Sequence, residues 1–158
     1  MNRNPVTPEG YEALVAELKR QKEVVRPQIV RDIEEARAHG DISENSEYED
    51  AKERQALCEG KIQELEGRVA SAEVIDIKKI PENGRVVFGA TVRIENTESG
   101  EERTWTIVGE TEADVEGGRI SFKSPLGKAL IGRNEGDEAE VPAPGGKQVW
   151  EIVEIRHQ

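Results

Sequence analysis

The stretch Y-E-D-A-K-E-R-Q-A-L-C-E-G-K-I-Q-E-L-E-G-R-V-A-S-A, from Tyr48 to Ala72, decides the fold of the N-terminal half. Tyr48, Ala51, Gln55, Cys58, Ile62, Leu65, Val69 and Ala72 follow one another in alternating steps of three and four. That alternation keeps one stripe of a helix against a partner, which is the seam of a coiled coil. The residues between are mostly Glu, Lys, Arg and Gln. Gly60 and Gly67 fall off the seam and weaken the helix by about 1 kcal/mol each relative to Ala.

A partner helix is available upstream. Thr7 suits an N-cap and Pro8 a first helical position, where a missing N–H costs nothing. Tyr11, Leu14, Leu18, Gln21 and Val25 then recur at spacings of three and four, and Ile29, Ile33 and Ala36 continue in steps of mostly four. Pro27 interrupts this run, removing a backbone donor and crowding the preceding turn, so a bend or local loosening is expected there. Two helices of about 30 residues joined by a short link predict an antiparallel hairpin roughly 45 Å long. Its tip falls near residues 38–46.

Beyond about Val74 the period changes to two. Strands are expected at Val74–Ile77, Arg85–Glu95, Arg103–Gly109, Arg119–Phe122, Glu138–Val141 and Val149–Arg156. Asn83-Gly84, Asn96–Gly100, Gly117-Gly118 and Pro144-Gly145-Gly146 separate them. One short helix is punctuated by Ser124 as cap, Pro125 as starter and Gly132 as stop. The expected fold class is α+β: a coiled-coil hairpin over residues 1–75 and a small antiparallel sheet domain over residues 76–158.

Composition narrows the function classes. The 158 residues are 35% hydrophobic and only 4% aromatic, which disfavours one large core. A net charge of −11 argues against sequence-independent binding to nucleic acid, which relies on Lys and Arg displacing phosphate counterions, though not against docking on a protein that holds nucleic acid. Cys58 is the single cysteine, which leaves no internal disulfide and suits a reducing cytoplasm. No stretch has the length and apolarity of a signal peptide or membrane span, so a cytoplasmic protein is expected.

The segment His39-Gly40-Asp41-Ile42-Ser43-Glu44-Asn45-Ser46-Glu47-Tyr48-Glu49-Asp50 carries the strongest chemical signal. Five of the ten residues from Asp41 to Asp50 are acidic and none is basic. Like charges crowded on one turn repel. Gathered at an exposed tip, they suit a hard divalent cation such as magnesium, which takes one or two carboxylates and completes its shell with water and phosphate oxygens. Asp41 and Glu44, three apart, can share one ion or its waters. The same spacing also fits a helix cap, Ser46 with Glu49 fits a capping box better, and acids near a helix N-terminus favour its dipole. Spacing leaves both readings open. His39 reads as an exposed helix-end residue and Cys58 as seam packing.

The stretch E-A-R-A-H-G-D-I-S-E-N-S-E-Y, from Glu35 to Tyr48, resembles the tip signature of the GreA/GreB transcript cleavage factors. Cys58-Glu59-Gly60 through Ile75-Asp76, Gly84 through Val92 and Ser124 through Gly132 resemble further family motifs, closer to GreA than to GreB members. The likeness runs over nearly the whole chain, and it implies an FKBP-like C-terminal domain. It further implies an accessory factor of bacterial RNA polymerase, not an enzyme, that enters the secondary channel and stimulates cleavage of backtracked RNA. Asp41 and Glu44 would then help hold a second magnesium in the polymerase active site and orient the attacking water. Asn45 and Tyr48 would support the tip, and Arg37 and Lys52 would form a basic patch beside the extruded RNA 3′ end. For Arg37, and more so for Arg54, a solvated helix face is the competing reading. Ser124 and Pro125 would dock on the rim coiled coil of the channel, where Lys123 departs from the Asn or Asp of GreA-like relatives. The implied state is a monomer without a membrane partner and without a metal in the isolated protein. Three readings compete: a prolyl isomerase, against which the few aromatics Phe88, Trp105, Phe122 and Trp150 speak; a channel-binding inhibitor, disfavoured by the order Asp41-x-x-Glu44-Asn45; and a free-standing metal nuclease, for which no acidic or His cluster exists outside the tip.

Overall fold

The computed structural model describes residues 3–39 and 46–158. It divides into two compact units, one of Tyr11–Ala72 and one of Arg3–Gly10 together with Glu73–Gln158.

The first unit is helical. Helix α1 (Pro8–Arg20) runs through a π-helical turn at Gln21–Val25 into α2 (Arg26–Ala38), and α3 (Ser46–Ser71) returns antiparallel to them. The π turn explains how Pro27 is carried. Its ring would collide with the carbonyl four residues back in an α-helix. The wider turn just before it, closed by the Arg26 N–H on the Gln21 carbonyl, inserts the slack instead of a break. The same slack accounts for the run of four-residue steps from Gln21 to Ile33. Those steps overshoot a 3.6-residue turn and fit a wider one.

Ile29, Cys58 and Ile62 form the buried centre of the seam, with Leu18, Val25 and Ile33 packed on it. Gln21 is buried there too. Its carbonyl oxygen Oε1 receives the Cys58 thiol at 3.5 Å, while its Nε2 donates to Glu17 at 2.9 Å. A satisfied polar pair inside an apolar seam favours one register over its neighbours. Arg26 grips Glu59 through two hydrogen bonds of 2.8 and 2.9 Å, and Lys22 faces Glu66 at 3.5 Å, both across the two helices.

The second unit is a five-stranded sheet in the order β5-β4-β3-β7-β6. Its strands are β3 (Thr91–Asn96), β4 (Glu102–Val108), β5 (Arg119–Ser121), β6 (Glu138–Ala143) and β7 (Gly146–Arg156). All neighbours are antiparallel except β4 and β5, which run parallel, so the sheet is mostly rather than wholly antiparallel. Val92 and Ile94 alternate inward on β3 and meet Ile107, Ile152, Leu130 and Val86 in a core without water access. The register between β3 and β7 slips between Arg93 and Ile94, passing over Val153.

Two expected strands shorten. From Arg85 to Ala90 the chain makes single bonds, such as the Val86 N–H to the Arg133 carbonyl at 2.8 Å, and pairing becomes continuous only at Thr91. Gly89, at φ +89, takes a left-handed turn that ends any extended run before it. Val74–Ile77 likewise gives way to a 3₁₀ turn at Ile77–Lys79, capped by the Asp76 carboxylate on the Lys78 N–H at 3.0 Å. A short strand β1 (Asn4–Val6) pairs with β2 (Ala72–Val74), an element the sequence pattern does not announce. The helix expected after Ser124 forms as α4 (Pro125–Leu130).

Candidate functional site

The tip of the hairpin is the candidate site. Its residues Asp41, Glu44 and Asn45 lie outside the described residues, which cover both flanks. Helix α2 ends at Ala38, with the His39 N–H closing on the carbonyls of Ala36 and Arg37. Helix α3 opens at Ser46 with Glu47 and Glu49 in its first turn, where a helix dipole favours negative charge. His39 Nδ1 stands 3.5 Å from Glu47 Oε2, joining the two helix ends.

Beneath the tip the seam narrows. Ala36 and Ala51 are its buried residues at this level, and Tyr48 is half-buried one turn higher on α3. Beside them lies a cleft of about 240 Å³ lined by Asp32, Glu35, Ala36, Glu47, Asp50 and Arg54. Arg54 reaches Asp32 across the helices at 3.1 Å and Asp50 on its own helix at 3.2 Å. Hydrogen bonds from Gln28 and then Arg54 hold the Asp32 carboxyl below its ordinary range, and Asp32 in turn raises the Arg54 guanidinium. Arg54 thus belongs to the hairpin's own architecture and not simply to a solvated face. The sequence offered no signal for it, because its partner on α2 is 22 residues away.

The other expected positions fall as follows. Arg37 is exposed on α2, and Lys52 is exposed on α3 with its ammonium on Gln55 Oε1 at 3.1 Å. Ser124 caps α4: its hydroxyl accepts from the Gly127 N–H at 3.0 Å and donates to the Ser121 carbonyl at 2.7 Å. Pro125 is exposed at the first helical position. Lys123 pairs with Glu110 at 3.2 Å and lies 5.7 Å from the centre of the Phe122 ring, which meets Phe88 edge-on at 5.8 Å. No group of His, Cys, Asp and Glu among the described residues is arranged to hold a metal. No described helix is long and apolar enough to cross a membrane.

One buried acid escaped the sequence reading. Glu112 lies 8% exposed in the sheet unit and accepts from the Thr7 N–H at 3.1 Å, the Thr7 hydroxyl and the Gly109 N–H at 2.9 Å. Arg119 Nη2 stands 3.9 Å away. Thr7 passes the bond on, its Oγ1 accepting from the Gly10 N–H at 3.0 Å as the cap of α1.

Compared with known proteins, residues 4–74 match the family described as transcription elongation factor, N-terminal, and residues 81–157 match transcription elongation factor, GreA/GreB, C-terminal. The chain belongs to the GreA/GreB family. Transcription elongation factor GreA of Methylococcus capsulatus is 50% identical to it over 99% of both chains. GreA of Hyphomonas neptunium is 52% identical over 98% of both. Among solved structures, the elongation factor GreA/GreB of Nitrosomonas europaea shares 28% identity over 98% of each chain, with a TM-score of 0.43. The N-terminal match contains the whole helical hairpin, and the C-terminal match contains all five strands of the larger sheet.

Proposed function

We propose that this chain is a transcript cleavage factor that completes the active site of bacterial RNA polymerase without being an enzyme itself. The observation that carries the proposal is that the most acidic segment of a GreA/GreB member, with the order Asp41-x-x-Glu44-Asn45, is the connection between two antiparallel helices. A narrow helical pair can enter a channel that a globular domain cannot.

In this reading the hairpin enters the secondary channel of a backtracked complex, where the RNA 3′ end has been extruded. Magnesium, when bound by the polymerase, supplies Lewis-acid activation of water and charge neutralisation for an in-line displacement. Asp41 and Glu44 suit that ion chemically, since hard cations take carboxylate oxygens. Their anionic oxygens also accept hydrogen bonds from the attacking water and orient it. Asn45 holds the tip backbone through its side-chain amide, and Tyr48 packs beneath it. Arg37 and Lys52, exposed on the two helices, meet RNA phosphates. Ser124 and Pro125 belong to the surface by which the sheet unit docks on the channel rim. The protein acts as a cytoplasmic monomer, with RNA polymerase and the nascent RNA as its partners.

The test is to add the protein to halted, backtracked complexes and follow RNA length. Shortened RNA is expected, with Asp41→Ala or Glu44→Ala abolishing it while polymerase binding stays within about twofold, since the tip is remote in sequence from the docking unit. Equal loss of binding and cleavage in Asp41→Ala would make that residue a structural cap. No shortening by the unaltered protein would make it an inhibitor.

A further inference from the structure

We propose that Arg54 is a positioning residue: it is the counter-ion that keeps the two helices closed below the tip and so fixes where Asp41 and Glu44 are presented. The cleft at this level is lined by four carboxylates, Asp32 and Glu35 from α2 and Glu47 and Asp50 from α3. Arg54 is the one basic side chain among the described residues lining it. It bonds to one acid on each helix, Asp32 at 3.1 Å and Asp50 at 3.2 Å.

Apolar packing cannot substitute for it here. Toward the middle of the hairpin, Ile29, Cys58 and Ile62 interlock and define the register. Near the tip the buried seam residues are Ala36 and Ala51, whose methyl groups give little surface to resist slip or opening. Without Arg54, Asp32 and Asp50 would lose the cation they share beside a seam of alanines, and like-charge repulsion would favour separation of the helices at this level. A single exposed ion pair contributes little, but here one guanidinium bonds carboxylates on both helices, one level below the His39–Glu47 contact at the helix ends. The reading of Arg54 as an RNA-binding cation is the alternative that the test separates.

The inference rests on the cleavage-factor reading for its consequence, but its first step can be measured on the isolated protein. Amide hydrogen exchange in Arg54→Gln should quicken roughly fivefold to tenfold at the tip-side ends of α2 and α3 and stay unchanged around Ile29 and Ile62. With backtracked complexes, the cleavage rate at saturating factor should fall by a similar factor, with the half-saturating concentration moved less than about twofold. The triple variant Asp32→Asn, Asp50→Asn, Arg54→Gln, which removes the repulsion together with its counter-ion, should restore both readings. Unchanged exchange in Arg54→Gln overturns the proposal. So does lost cleavage that the triple variant fails to restore, which would assign Arg54 to RNA contact. If the unaltered protein stimulates no cleavage, the functional reading falls, while the exchange comparison still decides whether Arg54 closes the hairpin.

Discussion

Glu112 shows how much one buried side chain can organise. Its carboxylate satisfies two backbone N–H groups and a hydroxyl. Gly10 leaves room for it, because a Cβ there would collide with the Glu112 side chain and displace its carboxylate. Replacing Glu112 with Ala strands those donors in a buried site and is expected to destabilise the sheet unit by about 2–3 kcal/mol, read as a lowered urea midpoint. Such a residue is invisible in sequence: an acid between Thr111 and Ala113 reads as surface, and its partner Thr7 is 105 positions away. Ser124 is the opposite case. Its cap partner is the N–H three residues on, a local relation that sequence punctuation carries in full.

At the scale of elements, α3 was legible because every seam residue from Ala51 to Leu65 obeys one period, and the buried residues are those the period selects. The first helical arm was legible up to Pro27, where the sequence signalled a disturbance but not its form. A π turn and a kink both relieve a proline, and only packing against Cys58 and Glu59 chooses between them. Strand β1, of three residues, has no period to read, whereas the equally short β5 was expected at Arg119–Phe122, just after the Gly117-Gly118 turn. Gly60 and Gly67 have open space around them, so nothing in the fold asks for glycine there. Gly60→Ala should therefore stabilise the hairpin by about 1 kcal/mol. Thermal unfolding followed by circular dichroism checks this, and a lower midpoint would show that α3 needs the backbone freedom.

At the scale of the whole molecule, the division of labour follows from what each unit can bury. The sheet unit closes a core around Val92, Ile94, Ile107 and Ile152, and in the proposed function it is the unit that docks. The helical unit is held by a thin seam, and α3 with its 26 residues spans roughly 39 Å. Such an element cannot enclose a reaction site of its own. In the proposed function it carries two carboxylates into one that another protein has built. The acidic segment stood out in the sequence as a candidate site, but its chemistry did not, because capping and metal binding ask for the same residues at the same spacing.

The central claim is that the tip carboxylates strengthen the hold of the polymerase active site on a magnesium ion. It is tested most directly by measuring RNA cleavage in backtracked complexes across a magnesium titration, with no factor, with this protein and with Asp41→Asn. The account predicts that the protein moves half-maximal cleavage to several-fold lower magnesium, while Asp41→Asn, bound equally well, leaves the factor-free curve in place. Identical magnesium curves with and without the protein, or an Asp41→Asn variant as effective as the unaltered chain, would contradict it.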